Sequence, residues 1–298
     1  MVGMSQFDDE TRVTPLTLPG ADATTAVELS GDSSAALAMS QFSGHVDPAW
    51  NIGGNPNGGY LLAIAAQALR QSTPDQPDPL SITAHYLLPG LPDQACRVDT
   101  QVLRSGRNIS TVRATLAQDG GARLELLAAM GRLGKLGKLG AGDMPPQLPV
   151  IALTRPELPP PEDCVGRSGA AQGVVLPILG RLEIRLHPQQ AMPGAAGHAT
   201  VSGWIRFADG RPPDALACLL MADAFPPAVF GLLGMVGWVP TVELTVQLRR
   251  RPVPGWLMGQ FWTNDLSDGR LIEDGALWDA DGHLVAQSRQ LALIRTPK

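Results

Sequence analysis

The sequence predicts an α+β fold in which one small unit, a single helix followed by a strand meander, is built twice in tandem. Three observations carry this prediction. The same order of elements recurs on either side of a proline-rich stretch. Both helical runs are apolar on nearly every face, so each must be wrapped by other elements rather than lie on a surface. The segments that follow them alternate apolar and polar residues or are punctuated by Asp-Gly pairs, as antiparallel strands and hairpin turns are.

Residues 1–24 are rich in Asp, Thr and Pro and show little periodicity, so a mobile or loosely packed segment is expected there. The first unit is assigned to 25–140. Its helix opens at Asn57, a sound N-cap, and runs through the apolar stretch 61–70 before Pro74. Strands are expected at 81–88, 97–103, 110–118 and 122–130, the last two joined by Asp119-Gly120. Gly131, Gly134, Gly137 and Gly140 then punctuate a repetitive stretch that superficially suggests a phosphate loop. No Ser or Thr follows Lys135 or Lys138 and the required spacing is missing, so a strand end leading into a linker is the better reading. The linker is assigned to 141–175. Pro145, Pro146, Pro149, Pro156, Pro159, Pro160 and Pro161 rule out a central strand or helix interior there, because proline lacks the amide donor.

The second unit is assigned to 176–298. Asp214 caps a helix over 215–224 that stops before Pro226 and Pro227. Strands are expected at 241–248, 257–263, 275–279 and 284–294, with turns at Asp268-Gly269 and Asp281-Gly282. Strict alternation in 241–248 sets Thr241, Glu243, Thr245 and Gln247 on one face and Val242, Leu244, Val246 and Leu248 on the other.

Composition narrows the function. Hydrophobic residues make up 44% of the 298 positions, ample for a core, and the formal net charge of −5 argues against nucleic-acid or membrane-surface binding. Three scattered cysteines, Cys96, Cys164 and Cys218, form neither a disulfide framework nor a zinc site and fit a reducing compartment. The acidic amino terminus lacks the apolar stretch of a signal peptide, no run is long enough to span a membrane, and Thr296-Pro297-Lys298 is not a peroxisomal address, so a cytoplasmic protein is expected. The five histidines are isolated and lack metal-ligand spacing, and no GxSxG elbow is present.

An ordered set of short motifs carries a family resemblance. In the first half it comprises Trp50, Asn57 to Tyr60, and 103–107. In the second it comprises 204–206, Pro213-Asp214, Ala222-Asp223, 240–245 and 285–290. Over roughly 40–135 and 180–296 the chain resembles the double-hotdog acyl-CoA thioesterases of the TesB type. The resemblance implies two hotdog units, each a long antiparallel sheet around one helix. It also implies hydrolysis of a fatty acyl-CoA by a polarised water, no metal or cofactor, and assembly into dimers or tetramers of double hotdogs. The family's Asp, hydroxyl and Gln fall on Asp223, Thr241 and Gln290. Counting back from Pro252 would put the hydroxyl site on Val242, and Thr245 is the fallback. The helix-start residues Gly58, Gly59 and Tyr60 are the expected substrate contacts, although a glycine pair there suits close packing of two helices equally well. Arg249 and Arg250 are the expected partners of coenzyme A phosphates, although a charge cluster is also what a solvated strand end carries.

Residue chemistry leaves alternatives open. Asp223 is the one acid in an apolar run, which suits either a desolvated base or a helix-end cap. Gln290 shares a strand face with Ala286, Ser288 and Ala292 and can orient water by donating and accepting, or satisfy a buried backbone group. Thr241 is either a functional hydroxyl or an ordinary strand threonine. Laying the copies together sets Ala66 opposite Asp223 and Ala129 opposite Gln290, so the first copy folds without either polar group. Thr241 falls opposite Leu80 or Ser81. Beside hydrolysis stand a non-catalytic acyl-chain binder and an acyl-CoA hydratase or dehydratase. The latter wants a histidine near a helix start, and neither helix offers one.

Overall fold

The computed structural model describes residues 5–17, 39–134 and 151–294. The glycine-lysine stretch from 135, the connector up to 150, the rest of the amino-terminal segment and the tail lie outside the described residues. In chain order come α1 (Gln6–Glu10), β1 (Thr14–Pro15), β2 (Met39–Val46), β3 (Asn51–Ile52), β4 (Asn55–Pro56), α2 (Gly58–Ser72), β5 (Asp78–Tyr86), β6 (Gln94–Arg104), β7 (Ser110–Gln118) and β8 (Gly121–Gly131). The second half adds β9 (Val165–Gly166), α3 (Gly169–Gln172), β10 (Leu182–Leu186), β11 (Thr200–Phe207), α4 (Ala215–Met221), α5 (Phe230–Leu233), β12 (Thr241–Leu248), β13 (Leu257–Ser267), β14 (Arg270–Trp278) and β15 (Leu284–Leu293).

Thirteen strands form one antiparallel sheet in the order β1-β2-β6-β7-β8-β5-β12-β15-β14-β13-β11-β10-β9. The halves meet edge to edge, β5 on β12, so neither central edge is left unpaired. At the joint the hydroxyls of Thr83 and Thr245 lie 2.9 Å apart. Asp119-Gly120 and Asp268-Gly269 both have positive φ at both positions, which suits the tight hairpins β7–β8 and β14–β13.

The sheet wraps α2 and α4. Gly59 through Ala66, Ala68 and Leu69 are buried on α2, and every residue of α4 is buried. Asn57 caps α2 by accepting from the Tyr60 amide at 3.0 Å, and Asp214 caps α4 by accepting from Ala217 at 2.8 Å. The two helices touch closely enough that a side chain on Gly59 would meet the carbonyl oxygens of Leu219 and Leu220 at 2.8 Å.

Four expectations need correction. Residues 5–17 are not loosely packed: Phe7 is fully buried against Trp50 and Phe207, and Arg181 donates to Glu10 at 2.9 Å. The far end of the connector assigned to 141–175 is not free chain, because Val165 and Gly166 pair with β10 and Arg167 is buried beneath it. The second helix ends at Met221 rather than 224; Pro226 and Pro227 prevent its continuation and Asp223 turns off its end. Finally, alternation in β12 is broken. A bulge at Val242 sets Thr241 opposite Ala292 while Glu243 stands opposite Leu291, which moves Thr241 onto the inner face with Leu244.

A matching bulge lies at Leu80 in β5. Superposing the halves on Thr83 and Thr245 therefore places Pro79 where Thr241 stands and Ala128, rather than Ala129, where Gln290 stands. Val112 takes the place of Glu273.

Candidate active site

The start of α2 and the end of α4 converge on Asp223. The carboxylate, carried by the second half, rests on the helix start of the first. Its Oδ2 accepts from the Gly59 amide at 2.8 Å and from Asn57 Nδ2 at 3.0 Å, and Asn57 Nδ2 also reaches the Asp223 carbonyl at 2.7 Å. Orphan amides at a helix start favour an anion, and here the protein supplies it. Glycine at 58 is needed because a Cβ would lie 2.9 Å from Asp223 Oδ2 and 3.0 Å from the Tyr86 ring. Burial pushes the Asp223 carboxyl up to about 6, opposed by these donors and by the Arg167 charge.

The second group is a chain of hydrogen bonds across three strands. Thr241 Oγ1 donates to Gln290 Oε1 at 2.9 Å, and Gln290 Nε2 donates to Glu273 Oε1 at 2.7 Å. The other oxygen of Glu273 accepts from the Ala228 amide at 2.6 Å. Gln290 and Glu273 stand directly opposite each other on β15 and β14. Burial pushes Glu273 up to about 7, with Asp223 adding to the rise and the Ala228 and Gln290 donors opposing it.

Asp223, Thr241, Gln290, Glu273, Arg167 and Tyr86 all line one cavity of about 620 Å³. The rest of its wall is largely apolar, with Leu61, Phe225, Phe230, Phe261, Trp238 and Leu293 contributing. Arg167 is buried; Nη1 donates to the Ala224 carbonyl at 2.6 Å, and Nη2 to Gln172 Oε1 at 3.0 Å. Burial lowers its ionisation to about 10, which still leaves it charged at neutral pH beside Asp223. The Tyr86 hydroxyl is buried without a hydrogen-bond partner, and burial pushes its ionisation well above the ordinary value.

The structure thus brings Asp223, Thr241, Gln290 and Gly58 to the cavity, with Val242 also in its wall, and the remaining predicted residues lie elsewhere. The Gly59 amide is engaged by Asp223 rather than open to a substrate oxygen. Tyr60 is fully buried, stacked on Trp50, with its hydroxyl donating to the Glu10 carbonyl at 2.6 Å; it is a core residue. Arg249 and Arg250 follow the far end of β12, about 26 Å from Thr241 at the rise of an extended strand, and neither lines the cavity. The fallback Thr245 bonds Glu243 and Thr83 outside the cavity. Glu273 is a lone acid on the inward face of β14, the same signal that marks Asp223; the predicted strand began at Gly275 and passed it by. Arg167 sits in what reads as linker, and no sequence signal marks it.

Among the described residues no cluster of His, Cys, Asp and Glu is suited to a metal, and no helix is long and apolar enough to cross a membrane.

One long antiparallel sheet wrapped around two helices is the fold that the relatives of this chain share. Family models described as the acyl-CoA thioesterase N-terminal and C-terminal domains match residues 46–133 and 161–294, and the chain belongs to that family. It is 31% identical over 268 residues to an uncharacterized protein of Mycobacterium tuberculosis, covering 85% of this chain and 90% of the relative. Among solved structures it is similar to a candidate thioesterase II of Thermobifida fusca, at 30% identity, 99% coverage of both chains and a TM-score of 0.78. The acyl-CoA thioesterase II TesB2 of Mycobacterium marinum shares the fold at 20% identity, covering 87% and 94% of the two chains, with a TM-score of 0.65. The chain is an α+β double hotdog of the thioesterase family.

Proposed function

We propose that the protein hydrolyses a fatty acyl-CoA to the free acid and coenzyme A, using water held by Asp223, Thr241 and Gln290. The observation that carries this reading is the convergence of those three side chains, from a helix end, a bulged strand start and the last strand, on one largely apolar cavity. A carboxyl that ionises at about 6 is a base at neutral pH, yet basic enough to take a proton from water as it attacks. The water oxygen bonds to the thioester carbon, its proton passes to Asp223, and the carbonyl electrons move onto oxygen. Collapse of that intermediate breaks the C–S bond, and the departing thiolate takes the proton from Asp223.

The free hydroxyl of Tyr86 and the second N–H of Gln290 are the donors on hand for the developing oxyanion. The helix-start amides serve instead to hold the base. Arg167 favours the ionised form of Asp223, and the apolar wall receives the acyl chain. No histidine lines the cavity, which speaks against hydration or dehydration of the acyl chain.

The test is thiol release from a panel of acyl-CoAs of graded chain length, run beside calorimetric binding of the same compounds. Release lost in Asp223→Asn and Gln290→Ala is expected. Saturable binding by the wild type without release would replace the hydrolase by an acyl-chain carrier.

A further inference from the structure

We infer that Glu273 fixes the direction of hydrogen bonding through Gln290 and Thr241, and is thereby a positioning residue of the water-activating site. The inference rests on the hydrolytic reading for its consequence, but its geometry stands apart from it.

Among these hydrogen bonds, the one backbone donor cannot turn. The Ala228 amide points at Glu273 Oε2 at 2.6 Å, so that oxygen must be an acceptor. An ionised carboxylate is an acceptor at both oxygens, so Gln290 must present its NH₂ to Glu273 and its oxygen to Thr241. Thr241 then spends its only proton on Gln290, and its oxygen is left to accept. With Asp223 also an acceptor, a water between the two donates both its protons and turns a lone pair outward, as attack on a carbonyl carbon requires. The second N–H of Gln290 is left as a donor.

Protonating Glu273 allows the reverse order. Its O–H can donate to Gln290 oxygen, the amide turns over, and Thr241 accepts from it and offers its own proton to the cavity. Water held there by a donor has one lone pair occupied. The carboxyl is placed to titrate: it is buried, faces Asp223 across the cavity, and adjoins Asp274, which pairs outward with Arg289. Burial holds it at about 7, and both acids raise it. Besides these, Gln290, Thr241 and the Ala228 amide are the polar groups that meet it or its bonded partner. The first half carries Val112, Ala128 and Pro79 at the matching places, and so has no member of this hydrogen-bond chain.

Glu273→Gln is the discriminating variant. Its shape is unchanged, but its oxygen is claimed by the Ala228 amide, so its NH₂ faces Gln290 and the amide is forced over. With an acyl-CoA that the wild type cleaves, kcat is expected to fall by about tenfold or more while KM stays within about threefold. Between pH 8 and pH 5, kcat of the wild type is expected to fall about tenfold further than that of the variant, because protonation of Glu273 adds to that of Asp223 only in the wild type. A second reading needs neither activity nor the variant's folding. The Gln290 side-chain amide NMR signals, assigned by their loss in Gln290→Ala, should shift with pH around 7 in the wild type and still do so in Asp223→Asn. Amide signals that ignore pH between about 5 and 9 would overturn the inference, as would a folded Glu273→Gln with wild-type kcat and pH profile. Absence of thiol release from the wild type would instead defeat the hydrolytic reading, with the amide titration still deciding the role of Glu273.

Discussion

At the scale of single residues, the bulge at Val242 decides which threonine faces the cavity. Thr241 meets Gln290 only because one extra residue turns it inward, while Thr245, four positions on, bonds Glu243 and Thr83 away from the cavity. Thr241→Ala is expected to lower kcat by about tenfold, the rate equivalent of one lost hydrogen bond of about 1.4 kcal/mol, and Thr245→Ala to leave it unchanged. Steady-state assays of the two variants check this. Asp223 makes a stability prediction as well. Its folded ionisation lies above the unfolded value of 3.8, so the folded state binds the extra proton between 3.8 and about 6, and stability falls as pH rises through that window. Asp223→Asn keeps an oxygen for Gly59 and Asn57 and removes the buried charge. It should melt higher than the wild type at neutral pH, with the gap closing in acid, as thermal scans at several pH values would show.

Asp223 was legible in the sequence as the one acid in an apolar run, and Gln290 as a polar residue on a mostly apolar strand face. Thr241 was legible only through family resemblance, since period-two alternation points it the wrong way and a bulge leaves no mark in composition. Glu273 was hidden by a strand boundary drawn too late, and Arg167 by prolines that read as linker. Tyr60, Arg249 and Arg250 show the opposite error: an aromatic beside a conspicuous glycine pair is core, and a run of cations is a strand end far from the cavity.

At the scale of elements, the decisive contact is α2 on α4. The glycine pair at the start of α2 reads in the sequence either as a substrate-facing helix end or as a close helix contact. Gly59 is the second, with Leu219 and Leu220 carbonyl oxygens 2.8 Å from any added Cβ, and Gly58 leaves room for the Asp223 carboxylate. Backbone on both sides cannot move aside as a side chain would. Gly59→Ala should therefore destabilise the protein by about 1–3 kcal/mol, read from urea denaturation, and lower activity by displacing Asp223. The prediction fails if the variant is as stable as the wild type. Helices and most strands were legible because their periodicity is local; the inter-helix contact was not, because it joins residues about 160 apart.

At the scale of the whole molecule, one fold is built twice and equipped once. The halves share a wrapped helix, a capped helix start and even a matching bulge, at Leu80 and Val242. They differ where the cavity is: Pro79, Val112 and Ala128 stand where the second half carries Thr241, Glu273 and Gln290. The first half contributes the helix start whose Asn57 side chain and Gly59 amide hold the Asp223 carboxylate, so the geometry around that acid needs both halves. The most direct measurement is coenzyme A thiol release by the wild type and by Asp223→Asn at neutral pH, with thermal melting confirming that both are folded. A loss of about a hundredfold or more in kcat is predicted, the scale of a removed general base. A folded Asp223→Asn that cleaves within about twofold of the wild type would contradict the assignment of the chemistry to this site.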